Sequence, residues 1–278
     1  MSRISSSWEL VKASWGVLLA DKELAIFPII SFFASMIVVA TFLLPMLFAG
    51  VFDAIFAGGA QVLGFVVGFA FYIFLYFVTF FFNSALVGAA MIRLEGGDPT
   101  VGDGLRIAFQ HIGAIFGYAV IAATVGMILK AISERAGFIG QIVIGVIGFV
   151  WNVATFLVVP VLVMEKVGPV DGVKRSAELL KKTWGEQIVG NFSIGLIFGL
   201  LIFGVILASV ALVVATAVAG LTWLAVGLAL AGLLALIILG LISSSLNGIF
   251  TAAVYQYATT GESKYFEPEM IKSTFKLK

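Results

Sequence analysis

The sequence predicts an all-α polytopic membrane protein with six transmembrane helices, and its composition and charge spacing carry that prediction. Hydrophobic residues make up 62% of the 278 residues and charged residues 11%, whereas roughly a quarter of an ordinary soluble domain is charged. Five long stretches without Asp, Glu, Lys or Arg take up most of the chain. A charge at the bilayer centre costs about 2.5–3.5 kcal/mol and about 20 apolar residues span the bilayer, so these stretches are predicted to lie in the membrane.

The length of each stretch assigns its helices. The first four stretches each fit one helix, while the last, between Glu186 and Glu262, is too long for one and must fold back. We expect its turn at residues 219–222, where Gly220 interrupts the apolar run. The six predicted helices cover residues 24–49, 62–92, 112–129, 138–164, 191–218 and 223–258.

Positive charges predict the orientation of these helices. With six of them, every Lys and Arg except Lys130 and Arg135 falls on the side of the two termini. Short loops rich in Lys and Arg stay in the cytoplasm, so we expect a protein of the cell membrane with both termini cytoplasmic. A seventh helix would carry the lysines of the C-terminal tail to the other side and remove the bias.

A short amphipathic segment recurs before the odd-numbered helices. Residues 7–16 match residues 176–185 at six of ten positions, and residues 99–106 echo residues 169–174 more weakly. Apolar side chains share one face of each segment, as in a helix lying at the membrane surface. The side chains predicted to anchor these helices at the cytoplasmic interface are Trp8, Trp15, Trp184, Lys12, Lys181 and Lys182. In the alternative interpretation, the three segments form a collar that recruits a partner or senses lipid.

Each even-numbered helix carries an Asn 12 to 15 residues before the acidic residue that ends its stretch: Asn83, Asn152 and Asn247. At ~1.5 Å per residue these three amides lie at similar depth. The unit is then a surface helix, an outgoing span and a returning span, which predicts three parallel repeats about an axis along the membrane normal. The single membrane domain divides into units at about 1–95, 96–165 and 166–262, followed by a cytoplasmic tail at 263–278.

Two interpretations of the three Asn residues stay open. Asn side chains in membrane helices commonly form hydrogen bonds between helices. Alternatively, they line a polar cavity between the repeats, which Thr155, Ser243, Ser244 and Ser245 would extend.

The N-terminus reads S-W-x-L-x-K-x-S-W over residues 7–15, followed by Glu23-Leu24 and Phe27-Pro28. In these motifs the chain resembles a family of uncharacterised prokaryotic integral membrane proteins. More distantly it is similar to the non-catalytic membrane domain of some glycerophosphodiester phosphodiesterases, which places a segment like residues 171–176 before its spans. The resemblance implies an all-helical membrane protein and assigns no catalytic residue.

The composition excludes several functions. The chain has no Cys and a single His, His111, so thiol, iron–sulfur, catalytic-triad and zinc chemistries lack their residues, and no cofactor is expected. No ionisable residue lies deep in a predicted span, which argues against proton-coupled transport. The net charge of +1, without a basic stripe, argues against nucleic-acid binding. An enzyme acting on lipid headgroups would depend on the interfacial carboxylates Glu95, Asp98, Asp103, Glu165 and Asp171.

These observations favour a non-enzymatic protein that is a lipid-associated scaffold or handles a lipid or small amphiphile, with membrane lipid as its partner. The alternative is an uncoupled channel or transporter with an Asn- and Ser-lined path between the repeats. Glycine faces allow close packing inside the monomer or a homo-oligomer. The G-x-x-x-G pairs are Gly64 with Gly68, Gly113 with Gly117 and Gly195 with Gly199.

Overall fold

Nearly every described residue is helical, which confirms the all-α prediction. The computed structural model describes residues 3–48, 61–184, 193–262 and 266, with side chains over 8–48, 62–183, 197–262 and 266, and no strand occurs in these ranges. The helices are α1 Arg3–Ala20, the 3₁₀ helix Lys22–Ala25, α2 Ile26–Phe48, α3 Gln61–Leu94, α4 Val101–Gln110, α5 Ile112–Arg135, α6 Phe138–Ala154, α7 Val158–Met164, α8 Pro169–Trp184, α9 Ser193–Val218 and α10 Thr222–Thr260.

Six segments of the described chain are long and apolar enough to cross a membrane, as predicted. Within the most apolar window of each segment, the buried share lies between 6% and 28%. Most of these apolar side chains therefore face outwards, which requires lipid rather than water around them. The chain is a multi-pass membrane protein, whose spans are Lys22–Phe48, Val62–Leu94, Ile112–Arg135, Phe138–Met164, Ile197–Val218 and Thr222–Thr260.

The turn predicted inside the last charge-free stretch is confirmed. Helix α9 ends at Val218 and α10 begins at Thr222. Gly220 has a φ of +77°, a left-handed conformation that favours glycine. The backbone N–H of Leu221 donates to the carbonyl of Thr216 at 2.9 Å, which closes the end of α9.

The fourth span differs from the single helix expected over residues 138–164, because it breaks between α6 and α7. Pro160 has no N–H to donate to the carbonyl of Phe156, so the helical ladder is interrupted there. The N–H of Leu157 leaves the ladder and donates instead to Oγ of Ser176, on α8, at 3.0 Å. Leu157 and Ser176 are both fully buried, so the break is satisfied from the neighbouring helix.

The buried core lies at one end of the protein, which we call the collar end and define as the end containing α1, α4 and α8. Residues 84–91 of α3 and 248–255 of α10 are buried there. The halves of the spans that lie farther from the collar end are largely exposed. Helix α3 is central and packs against α2, α4, α5, α7 and α10.

The surface helices dock onto this core through small residues and through one apolar face. Leu10 and Leu18 of α1 are buried, whereas Trp8 and Trp15 are 49% and 40% exposed. Helix α4 starts with a capping box, in which Thr100 Oγ1 accepts from the Asp103 N–H at 3.2 Å. Lys12, Lys181 and Lys182 are exposed, and the side chain of Trp184 lies outside the described residues.

Candidate functional site

A polar cavity of about 240 Å³ lies between α2, α3 and α10. We call it the Asn83–Asn247 cavity, after its two amide side chains, both half-buried. Ser244 is exposed, so the cavity opens to the surroundings at that residue. The cavity is lined by Pro28, Ser31, Thr79, Phe82, Asn83, Leu86, Ser244, Asn247, Gly248 and Thr251.

The structure brings together only some of the residues predicted to line a cavity. Asn83, Ser244 and Asn247 line the Asn83–Asn247 cavity, whereas Asn152 is exposed on α6. Thr155 Oγ1 donates to the Trp151 carbonyl at 2.8 Å. The two remaining serines also contact other partners: Ser243 accepts from Asn247 Nδ2, and Ser245 Oγ donates to the Leu241 carbonyl at 3.0 Å.

Three hydroxyl residues of this cavity were not predicted from the sequence: Ser31, Thr79 and Thr251. A signal for two of them was present in the sequence. Thr79 precedes Asn83 by four residues and Thr251 follows Asn247 by four, so each pair shares one helix face. Ser31 lies on α2 and had no such signal.

A second feature is an apolar groove of about 440 Å³, which we call the α1–α10 groove. Its walls are apolar except for Lys22 and Ser245, and Lys22 is exposed at the junction between α1 and the first span. The interfacial Trp15 lies in the same wall. The groove is lined by Trp15, Leu18, Leu19, Lys22, Ala25, Ile29, Ile238, Leu241, Ile242 and Ser245.

Charged side chains hold the collar end together. Arg175 Nε on α8 donates to both oxygens of Glu165, at 2.8 and 3.2 Å, and the buried Tyr255 of α10 donates to the same carboxylate at 3.2 Å. Glu23 accepts from the Val101 N–H at 2.7 Å, so the start of the first span caps α4. These contacts link α8 to the end of the fourth span and to the sixth span, and α4 to the start of the first span.

Most of the interfacial carboxylates considered for headgroup chemistry are engaged in such contacts. The described residues contain no cluster of three or more His, Asp or Glu that could hold a metal ion. His111 Nδ1 lies 2.9 Å from the Ile107 carbonyl, at the start of α5. Hydrogen bonds with Thr100 lower the pKa of Asp103. The engaged pairs are Asp98 with Arg93, Asp103 with Thr100, Glu165 with Arg175 and Asp171 with Lys174.

The carboxyl group of Asp21 is buried next to this network. Burial is the main reason why its pKa is raised, and only one of its oxygens is hydrogen-bonded, to the N–H of Glu23 at 3.2 Å. A raised native pKa means that the folded state binds the proton more tightly than the unfolded chain. The stabilising contribution is complete below the unfolded pKa of about 3.9 and is lost as the pH rises through the native value.

We therefore expect Asp21→Asn to raise the unfolding free energy at pH 7, because the amide keeps the cap to Glu23 without the cost of a buried charge. The gain should shrink as the pH falls towards 4. Denaturant titration in detergent at both pH values measures it. Asp98→Asn is the control, since the Asp98 side chain is 96% exposed and its ion pair with Arg93 is worth at most about 1 kcal/mol. An Asp21→Asn gain that is equal at both pH values would contradict the titration argument.

The G-x-x-x-G pairs do not all mark close helix contacts. A Cβ added at Gly68, Gly113 or Gly199 would meet no atom of the structurally described chain within 4 Å, whereas one at Gly117 would lie 2.8 Å from Pro169. Gly195 lies in α9, before the point at which side-chain surroundings are described. The open glycine positions leave a homo-oligomer through these faces as a prediction.

Comparison with known proteins identifies a family. No curated protein and no solved structure matches the chain. Residues 62–265 match a family of unknown function, DUF6159. This range begins at the second span, so it covers α3 to α10 and leaves out α1 and α2. Because the match covers well over half of the 278 residues, the chain belongs to the family of unknown function DUF6159.

Proposed function

We propose that the protein handles lipid, or acts as a lipid-associated scaffold, in the cell membrane with both termini in the cytoplasm, and that the α1–α10 groove binds an anionic lipid. The observation that carries this proposal is an apolar groove that has an exposed lysine, Lys22, at the membrane-surface end. An acyl chain fits apolar walls, and an ammonium group attracts an anionic headgroup.

Within a bilayer the headgroup contact decides the selectivity. Lipid tails are as apolar as the groove, so moving a chain from the bilayer into the groove gains little free energy. A lysine near the membrane surface contributes about 1 kcal/mol towards an anionic lipid. Trp15 supports the placement, since indole rings favour the headgroup level.

We expect Lys22→Ala to weaken binding of phosphatidylglycerol about fivefold, the equivalent of about 1 kcal/mol. Native mass spectrometry of the detergent-purified protein, titrated with phosphatidylglycerol or phosphatidylcholine, measures the bound fraction. Lys12→Ala is the matched control, because Lys12 is exposed on the same helix as Trp15 and does not line the groove. Ile242→Trp, which fills the groove, should reduce binding of both lipids. Equal losses for Lys22→Ala and Lys12→Ala would refute the site.

A further inference from the structure

The Asn83–Asn247 cavity is distinct from the lipid groove, and its polar atoms are mostly acceptors. Thr79 Oγ1 donates to the Leu75 carbonyl at 2.9 Å, and Thr251 Oγ1 donates to the Asn247 carbonyl at 2.8 Å. Both hydroxyl protons are therefore used within their own helices, and the oxygen lone pairs remain. Asn247 Nδ2 donates to the carbonyl of Ser243 at 2.9 Å, so its own amide oxygen also remains as an acceptor.

Asn83 adds amide N–H donors to the hydroxyl donors of Ser31 and Ser244. Within the described part of the chain its half-buried amide makes no hydrogen bond to another residue, although it lies inside the second span. Complete transfer of an unpaired amide from water into an apolar solvent costs about 4–8 kcal/mol, and a half-buried amide bears part of that cost. Gly248 leaves room beside it, because a Cβ there would lie 3.4 Å from Asn83 Oδ1 and would overlap Leu86. A polar guest in the cavity would satisfy the Asn83 amide.

The lining also restricts the guest's charge and size. Among the described residues, no Asp, Glu, Lys, Arg or His lines the cavity, so a charged ligand would lose its hydration without gaining a counter-charge. The volume of about 240 Å³ lies below the range of about 300–1,000 Å³ for drug-sized ligands. The guest is therefore uncharged, has few heavy atoms and donates several hydrogen bonds.

We propose that the Asn83–Asn247 cavity binds a small polyhydroxyl group, with hydroxyl protons directed at the acceptors of Thr79, Thr251 and Asn247 and a hydroxyl oxygen accepting from Asn83. The same chemistry is offered by a free polyol such as glycerol and by the two free glycerol hydroxyls of an uncharged lipid such as monoacylglycerol. This site does not depend on the lipid groove, because Lys22 and Ile242 do not line it.

Cysteine labelling tests the proposal, since the chain has no native Cys. Ser244→Cys places a thiol at the opening of the cavity, and Asn152→Cys places one on the exposed surface of α6 as a control. A charged methanethiosulfonate reagent should modify the thiol at 244. Glycerol in detergent, or monoacylglycerol in lipid nanodiscs, should slow that reaction at least threefold and leave the reaction rate of the thiol at 152 unchanged.

The combination of Ser244→Cys with Asn83→Ala should lose the protection, and combination with Asn247→Ala provides a second variant if the first fails to fold. Protection by glycerol alone assigns a free polyol, and protection by monoacylglycerol alone assigns a lipid. The proposal is overturned if neither compound protects the thiol at 244, if both thiols are protected equally, or if the Asn variants keep full protection. Lipid binding by the Lys22 site is measured separately, so the two sites fail independently.

Discussion

Gly104→Ala is expected to destabilise the protein by about 1–3 kcal/mol or more, because the position has no space for a methyl group. A Cβ at Gly104 would lie 2.6 Å from the carbonyl oxygen of Ala85 and would overlap the ring of Phe27. The carbonyl belongs to the backbone of the central helix α3, so it cannot rotate away as a flexible side chain could. Unfolding in mixed detergent micelles, followed by circular dichroism, measures the loss.

Gly102→Ala provides the matched control on the same helix. A Cβ at Gly102 would meet only Thr100 Oγ1, at 3.6 Å, which is ordinary van der Waals contact. Alanine also favours a helix over glycine by up to about 1 kcal/mol. This variant should be as stable as the parent protein or more stable. If the Gly104→Ala and Gly102→Ala variants have the same unfolding free energy, then α4 does not pack on α3 as closely as described.

Ser176→Ala is expected to cost about 1–3 kcal/mol, because it removes the acceptor from a buried backbone N–H in the fourth span. The hydroxyl oxygen accepts from the Leu157 N–H at 3.0 Å, and Pro160 prevents the regular ladder from continuing through this turn. The unfolding free energy should fall, and the Leu157 amide should exchange with deuterium faster than its neighbours in α7.

Ser133→Ala is the control for this variant. Ser133 is half-buried near the end of α5, and its hydroxyl makes no hydrogen bond within the described part of the chain. Its replacement should change the unfolding free energy by no more than about 0.5 kcal/mol. Unchanged exchange at Leu157 in Ser176→Ala would show that another group satisfies this amide.

The spans could be predicted from the sequence because a single energetic rule, the exclusion of charge from lipid, sets their limits. The turn at Gly220 was predictable for a similar reason, since glycine adopts a left-handed φ without strain. The break at Leu157 was not predicted. Proline is tolerated in membrane helices when a neighbouring group satisfies the freed backbone, and here that group, Ser176, lies 19 residues away.

The candidate cavity was predictable only in part, since sequence spacing gives depth but not neighbours. Asn83 and Asn247 meet because α3 packs against α10, whereas α6, which carries Asn152, packs against α5 and α8. The α1–α10 groove is formed by segments more than 200 residues apart in the chain, from Trp15 to Ile242. Neither of these two helix pairings can be predicted from the local sequence pattern.

The bond between Leu157 and Ser176 also bears on biogenesis. During translation, Leu157 is synthesised 19 residues before Ser176, whose hydroxyl oxygen accepts the hydrogen bond from the Leu157 amide. Until α8 has emerged and docked, the Ser176 hydroxyl is absent, and the Leu157 amide needs another acceptor, such as water or the Val153 carbonyl of a regular helical turn. Docking of α8 therefore completes the hydrogen bonding of the fourth span, so the final packing of this span follows the synthesis of Ser176.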